Sequence, residues 1–120
     1  MISTPDEYLD SLNEVARAWV QEFFDYLEEN HKNFTISMFR QRPMYKNVED
    51  NYLKGYLMFT GNKTHFVIHT LEFDIIEEMK ALTPRAQFGK GCVKVKYKDV
   101  FLKPELKKMC DKVLKRYKQL

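Results

Sequence analysis

Apolar side chains recur along the chain with two different periods. Between residues 12 and 27 they return at intervals of three and four, the spacing of one face of an α-helix. That apolar face consists of Leu12, Val15, Trp19, Phe23 and Leu27. From residue 34 apolar and polar side chains alternate, as they do in a half-buried strand, and apolar and β-branched runs also occupy residues 52–60 and 64–71. The pattern therefore predicts helices first and then three strands.

Capping residues predict where the first two helices begin. Thr4 and Glu7 form a capping box with Pro5 at the first helical position, so a short helix begins at about residue 5. A second box at Ser11 and Glu14 predicts the start of a longer helix that runs to about residue 30.

Two further helices are predicted in the second half of the chain. Asp74 is positioned to cap a helix over residues 75–82, which Thr83 and Pro84 end, and Pro104 opens a last helix. The buried sides of these two helices are predicted to be Ile75, Ile76, Met79 and Leu82 in the first, and Leu106, Met109, Cys110, Val113 and Tyr117 in the second.

Turn residues separate the predicted strands. Residues 61–63, which contain Gly and Asn, are typical of a hairpin turn, whereas the polar residues 40–51 predict a loop or an edge excursion. Residues 89–91 turn the chain into one more strand, in which Val93 and Val95 alternate with lysines. The order ααβββαβα groups the strands, so the sequence predicts one α+β domain over residues 1–120, with a mostly antiparallel sheet and helices on one face.

Composition excludes several classes of protein. Hydrophobic residues make up 44% of the chain and aromatic residues 14%, which is enough for a buried core and excludes intrinsic disorder. Cys92 and Cys110 form no CxxC pair, so they supply neither a zinc ribbon nor a thioredoxin-type motif. The sequence carries no secretory signal, bilayer-length apolar run, P-loop, Gly-x-Ser-x-Gly or HExxH motif. We therefore expect a cytoplasmic protein that is not an enzyme and does not bind a membrane.

Charge is distributed unevenly, although the formal net charge is only +3. Residues 1–31 contain eight acidic side chains and one arginine, whereas residues 90–120 contain eleven basic side chains and three acidic ones. Either the two terminal segments pack together and neutralise each other, or one of them is a working surface. The row Lys94, Lys96 and Lys98 is interpreted as a solvated strand edge and not as a nucleic-acid surface, because Tyr97 alternates to the opposite face.

Four acidic side chains cluster on the second predicted helix: Glu22, Asp25, Glu28 and Glu29. Like charges at this spacing disfavour the helix by roughly 0.2–0.5 kcal/mol per pair, and acids near its C-terminus oppose the helix dipole. A cation such as Fe(II), Mn(II) or Mg(II) would relieve both costs, with His31 as a further ligand. The alternatives are a solvated acidic face and a partner for the lysine-rich last helix.

A second candidate site lies on the predicted sheet. His65 and His69 point to the same side of one strand, but their Cα atoms would be about 13 Å apart, too far to hold one metal ion readily. With Arg42, Tyr45 and Lys90 they form a candidate small-molecule pocket. The alternative for each histidine is a hydrogen-bonded structural role.

Several segments occur in an order that resembles one known family. They are TPDEYLDSL from Thr4, ISMF from Ile36, RPMY from Arg42, KTHF from Lys63 and FGKGCVKV from Phe88. Over nearly its whole length the chain resembles the YdhG-like domain family. The resemblance implies a small α+β fold, in agreement with the periodicity.

Most members of that family have no known function, and one branch is described as a frataxin-like intracellular iron chaperone. The resemblance thus implies a metal-binding, iron-carrying role with iron-accepting proteins as partners, and the acidic cluster is the candidate metal site. The alternative is a small-molecule-binding domain with its pocket on the sheet face, or a domain of unknown function.

Overall fold

Helices and strands form separate blocks in the computed structural model, which describes residues 2–31, 34–47 and 56–116. The helices are α1 (Pro5–Asp10), α2 (Glu14–Asn30), α3 (Phe73–Leu82) and α4 (Lys103–Arg116), with a 3-10 turn at Val100–Leu102. The strands are β1 (Phe34–Phe39), β2 (Arg42–Asn47), β3 (Leu57–Gly61), β4 (His65–His69), β5 (Gln87–Gly89) and β6 (Cys92–Lys96). None of these helices has both the length and the hydropathy that a membrane span needs.

The strands form one sheet in the order β1-β2-β3-β4-β6-β5, and each neighbouring pair is antiparallel. The predicted α+β class and the succession of helix and strand groups are confirmed. The hairpin turn predicted after β3 is also present, because Asn62 accepts hydrogen bonds from the backbone of Thr64 and His65.

In the described part of the chain, the sequence pattern missed β2 and β5. The loop predicted over residues 40–51 is wrong for residues 42–47, which pair with β1 along their whole length. The β1–β2 turn places Arg40 and Gln41 at φ values of 52° and 66°, a conformation that Asn and Gly usually supply. Because neither Asn nor Gly occurs at these two positions, the sequence does not predict the turn. Residues 48–51 of that loop and 52–55 of the next predicted strand lie outside the described residues.

One face of the sheet carries the hydrophobic core. Aromatic side chains of α2 pack directly on it: the ring centroid of Phe23 lies 4.7 Å from that of Phe66 and 5.6 Å from that of Phe59, and Trp19 lies 5.3 Å from Phe66. Leu106, Met109, Cys110, Val113 and Leu114 bring α4 into the same core. Tyr117, predicted for the same stripe, lies outside the described residues.

The predicted apolar face of α2 is confirmed except at its start. Trp19, Phe23 and Leu27 are at most 3% exposed, but Val15 is 52% exposed. Ala16 takes the inward position in the first turn and comes so close to β3 that a Cβ on Gly61 would lie 2.9 Å from the Ala16 Cβ. A small residue on the helix and a glycine on the strand therefore permit this close packing.

Two of the predicted caps are wrong. Thr4 caps α1 as expected, by accepting from the backbone of Glu7 at 3.1 Å, but α2 is capped by Asn13 in place of Ser11. Asn13 accepts from the backbone of Ala16 at 2.9 Å, while Ser11 sits at the C-terminal end of α1. Asp74 likewise lies inside the first turn of α3, one residue after the helix begins.

Asp74 instead joins α3 to α4. Both of its carboxylate oxygens accept from Arg116, at 2.9 and 2.7 Å, and Arg116 also contacts Glu72 at 2.9 Å. The hydrogen bonds from Arg116 lower the pKa of Asp74 to about 2. At the other end of α3, Leu82 is 50% exposed, so its predicted place in the core is wrong.

Replacing Trp19 by alanine is expected to destabilise the fold by roughly 3–5 kcal/mol, because a large ring is removed from a close-packed core. Urea unfolding measures the loss. Val15→Ala is the matched control on the same helix, and we expect a change within about 0.5 kcal/mol because Val15 is exposed. Similar losses in the two variants would contradict the register of α2 described above.

Asp74→Asn should destabilise the protein in a pH-dependent way. The folded-state pKa of Asp74 lies below its unfolded value, so its stabilisation is present above about pH 4 and is lost as the pH falls through about 2. Urea midpoints of wild type and variant should therefore converge on acidification. In an Arg116→Met background the difference should be much smaller, because only the backbone N–H groups of Asp74 and Ile75 still favour the carboxylate. An undiminished difference there would assign the effect to a partner other than Arg116.

Candidate functional site

The sheet has a second face, turned away from the core, which we call the outer face. Successive side chains of a strand point to opposite sides, so the residues that alternate with the core positions share this face. On β2, β3, β4 and β6 the outer face carries Arg42, Met44, Met58, Thr60, His65, Val67, His69, Cys92, Lys94 and Lys96. Three of its apolar side chains, Met44, Met58 and Val67, are at most 8% exposed.

Every charged side chain among these ten residues is basic. Arg42 and Lys94 are exposed, and neither is in an ion pair with any residue in the described ranges. Two cations without a carboxylate partner on one face create a positive potential, which attracts anions.

An open depression of about 410 Å³ lies at one end of the outer face. Its floor comes from β2, β3, β4 and β6, and one wall comes from α1 and the residues that follow it. Its lining consists of Tyr8, Ser11, Leu12, Arg42, Thr60, Gly61, Asn62, Val67, His69 and Lys94. The depression therefore combines two cations, a histidine and several hydroxyl and amide groups.

His69 is held inside this depression by a hydrogen bond across the sheet. Its Nε2 atom lies 3.0 Å from the hydroxyl of Thr60, a buried residue of β3. Burial lowers the pKa of His69, and the positive charges of Arg42 and Lys94 lower it further. The imidazole is therefore neutral at neutral pH.

Tyr8 contributes a hydroxyl from the helix side. Its ring is 6% exposed, and its oxygen accepts a hydrogen bond from the backbone N–H of Gly61 at 3.2 Å. Since that bond uses only a lone pair, the O–H of Tyr8 remains able to donate. Burial raises the pKa of Tyr8, so the hydroxyl keeps its proton at neutral pH.

The structure brings together two of the five predicted pocket residues. Arg42 and His69 line the depression, and His65 shares the outer face but lies outside the lining, with its Nδ1 2.7 Å from the Thr64 hydroxyl. Tyr45 points into the core, where it is 2% exposed and packs between Phe24 and Phe59.

Lys90, the fifth predicted residue, also lies elsewhere. It sits in the β5–β6 turn with its ammonium 5.2 Å from the Phe73 ring centroid. Sequence reasoning missed Lys94, Thr60 and Tyr8. Lys94 was expected on a solvated strand edge, but β6 lies between β4 and β5 and is not an edge strand.

The acidic cluster on α2 is partly neutralised by α4. Glu22 receives Lys103 at 2.7 Å and Lys107 at 2.9 Å, one lysine on each carboxylate oxygen. Burial opposes ionisation of Glu22, but the hydrogen bonds from these lysines outweigh it and keep its pKa below the usual value. At Glu22, the acidic N-terminal segment therefore does pair with the basic C-terminal segment.

The other three acids are less engaged. Asp25 accepts from Gln21 at 2.9 Å, and Glu22, Asp25 and Glu29 line a shallow depression of about 390 Å³ together with Lys107. The charges of Glu28 and Asp25 reach Tyr45 from the helix side and add to burial in raising its pKa. Among the described residues no three His, Cys, Asp or Glu side chains are arranged to hold a metal ion.

His31 does not join the acidic cluster. It is 5% exposed, and its Nε2 lies 2.7 Å from Oδ1 of Asp111. The hydroxyl of Tyr26 donates to the same carboxylate, 3.0 Å from Oδ1 and 2.9 Å from Oδ2. Burial and the neighbouring Asp111 raise the pKa of Tyr26 to about 12. These contacts fasten the end of α2 to α4.

Comparison with known proteins supports the fold alone. No protein-family model matches the sequence, and no curated protein matches it. A crystal structure of a DUF1801-family protein, YdhG, from Bacillus subtilis is similar to this chain with a TM-score of 0.69. The sequence identity is 16%, and the match covers 88% of this chain and 84% of the other. The chain therefore has a YdhG-like fold.

Glu22→Gln is expected to lower the free energy of unfolding by up to about 1 kcal/mol, because two lysines lose their carboxylate. The loss should shrink in high salt, which screens partly exposed ion pairs. Glu29→Gln, also on α2, is the control and should have an effect within about 0.5 kcal/mol. Equal, salt-independent effects would show that pairing with α4 does not stabilise this helix.

Proposed function

We propose that the protein is a small-molecule-binding domain that holds a ligand with an anionic group in the outer-face depression. The observation that carries this proposal is the position of Arg42 and Lys94, two cations without an ion-pair partner in the described residues, on the rim of one concave surface. A binding role without catalysis agrees with the absence of an enzymatic motif in the sequence.

The chemistry of the lining favours an oxyanion. The guanidinium of Arg42 offers parallel N–H donors that match two oxygens of a carboxylate, phosphate or sulfate, and Lys94 adds a point charge. The hydroxyl of Tyr8 and the amide of Asn62 supply neutral donors close by.

The size of the depression favours a small ligand. Its volume of about 410 Å³ falls within the range of roughly 300–1,000 Å³ typical of small-molecule pockets. Leu12 and Val67 provide apolar surface beside the cations, so a ligand with a short hydrocarbon portion next to its anionic group fits the lining best. Because the depression is open to solvent, we expect the bare inorganic anion to bind weakly.

The proposal is tested by titrating sulfate and inorganic phosphate into the protein at low ionic strength, with amide NMR shifts as the readout. We expect saturable shifts at β2, β4 and β6. Arg42→Gln and Lys94→Gln should each weaken binding by about tenfold or more, because a charged hydrogen bond is worth roughly 1.5–3 kcal/mol. Lys90→Gln removes the same charge from a lysine outside the depression and should have little effect.

Two outcomes count against the proposal. Amide shifts that do not saturate, or that are equal at all lysines, would indicate that the anions screen the protein's charge without binding at a specific site. Equal losses in Lys94→Gln and Lys90→Gln would indicate that net charge, and not the depression, attracts the anion.

Iron binding is the second candidate function, proposed from the family resemblance. Its support is that Asp25 and Glu29 line one depression on α2, with Glu28 beside them, while Glu22 is occupied by two lysines. Anaerobic calorimetry with Fe(II) tests it. An iron-carrying role is supported if Fe(II) binds more tightly than millimolar and this binding is lost when all four acids are replaced by Gln or Asn. If the wild-type protein does not bind Fe(II) more tightly than millimolar, that role is eliminated.

A further inference from the structure

His69 is the group lining the outer-face depression whose unperturbed pKa lies nearest neutral pH. An unperturbed imidazole titrates at about pH 6.5, nearer to neutrality than an unperturbed phenol, guanidinium or ammonium group. His69 lies on β4, paired with Met58 of β3 on one side and Cys92 of β6 on the other. Because His69 is part of the lining, a change in its charge alters the electrostatic potential inside the depression.

The groups facing His69 come from every element around it. β3 contributes the neutral Thr60, β2 contributes a guanidinium, β6 an ammonium and a thiol, and α1 a phenol. The titratable and charged groups among them, with those along the same face, are Tyr8, Arg42, His65, Cys92, Lys94 and Lys96. None of these is a carboxylate, so no acidic side chain in this set balances the positive charges of Arg42 and Lys94.

Two features of the depression favour the neutral form of His69. Partial burial removes water that would solvate a protonated His69, and the positive charges of Arg42 and Lys94 repel the imidazolium. An anion seated between Arg42 and Lys94 reverses the second effect and presents acceptor oxygens to a ring N–H. The Thr60 hydroxyl can serve either state, because it donates to the neutral ring and accepts from the protonated one.

We propose that His69 takes up one proton from solvent when an anion binds, so that the site holds oxyanions more tightly in mildly acidic conditions. This inference rests on the anion-binding function proposed above and adds its regulation. The proton goes to a ring nitrogen of His69, and no covalent bond to the ligand forms. The protein would thus load its ligand at low pH and release it as the pH rises.

The sign of the effect follows from linkage between proton and anion. If the pKa of His69 is low in the free protein and higher in the complex, the affinity is constant above the higher value and rises as the pH falls between the two. From about pH 7.5 to 5.5 we expect the Kd to fall about three- to tenfold, since each unit by which the anion raises the pKa corresponds to tenfold in affinity.

Sulfate is the appropriate probe, because its charge does not change across this range whereas that of inorganic phosphate does. The Kd is measured by NMR titration of the wild-type protein at several pH values and constant ionic strength. The pKa of His69 is read from its own ring resonances with and without saturating sulfate. Calorimetry in two buffers of different ionisation enthalpy then counts the protons taken up.

His69→Gln should still bind sulfate but lose the pH dependence, since an amide donates and accepts without titrating. His65→Gln is the matched control, on the same strand and face but outside the lining, and should keep the wild-type pH dependence. The ring resonances of the wild-type protein decide the matter even if a variant does not fold.

The outcomes separate the two proposals. Saturable sulfate binding whose Kd is the same at all pH values, or a His69 titration that sulfate does not move, would overturn the proton coupling and leave the anion site standing. A pH dependence that persists in His69→Gln would also overturn it. Absence of saturable binding at every pH would overturn the site and the coupling together.

Discussion

Packing of aromatic side chains from α2 onto β3 and β4 is the interaction on which the rest of the structure depends. Trp19 and Phe23 lie against Phe59 and Phe66, with ring centroids 4.7 to 5.6 Å apart for the contacts to the two sheet residues. Since side chains alternate along a strand, burying these phenylalanines fixes which residues face the other way. A shift of one residue in β4 would move His69 into the core and would move Phe66 and Ile68 onto the outer face.

The same constraint decides which side chains lie on the outer face. Its buried side chains are Met44, Met58, Val67 and the neutral Thr60, and its exposed charged side chains are basic. The lysines of the basic C-terminal region divide accordingly: Lys103 and Lys107 on α4 neutralise Glu22, whereas Lys94 on β6 faces away from α2. Neutralisation of the two chain ends is therefore incomplete, and Lys94 instead lines the depression.

The two hypotheses for function depend on different surfaces, which differ in whether their charged side chains already have ion-pair partners. On α2 the most buried carboxylate of the acidic cluster, Glu22, already has two lysines within 3 Å, so a cation would have to displace them. On the outer face Arg42 and Lys94 have no such partner within the described ranges, so an anion would meet no competing ion pair there. A YdhG-like fold is compatible with both surfaces, because a fold carries no function by itself.

The sequence by itself determined the α+β class, the register of α2 from Trp19 onwards and the hairpin at Asn62, because each depends on the spacing of neighbouring residues. It could not reveal the Arg40–Gln41 turn, whose left-handed residues are not the usual ones, or the cap on Asn13, because two capping residues compete there. Only the tertiary structure decided which polar residues meet. Arg42, His69 and Lys94 come from three strands, and strand order alone brings them to one depression while Tyr45, a few residues from Arg42, faces the core.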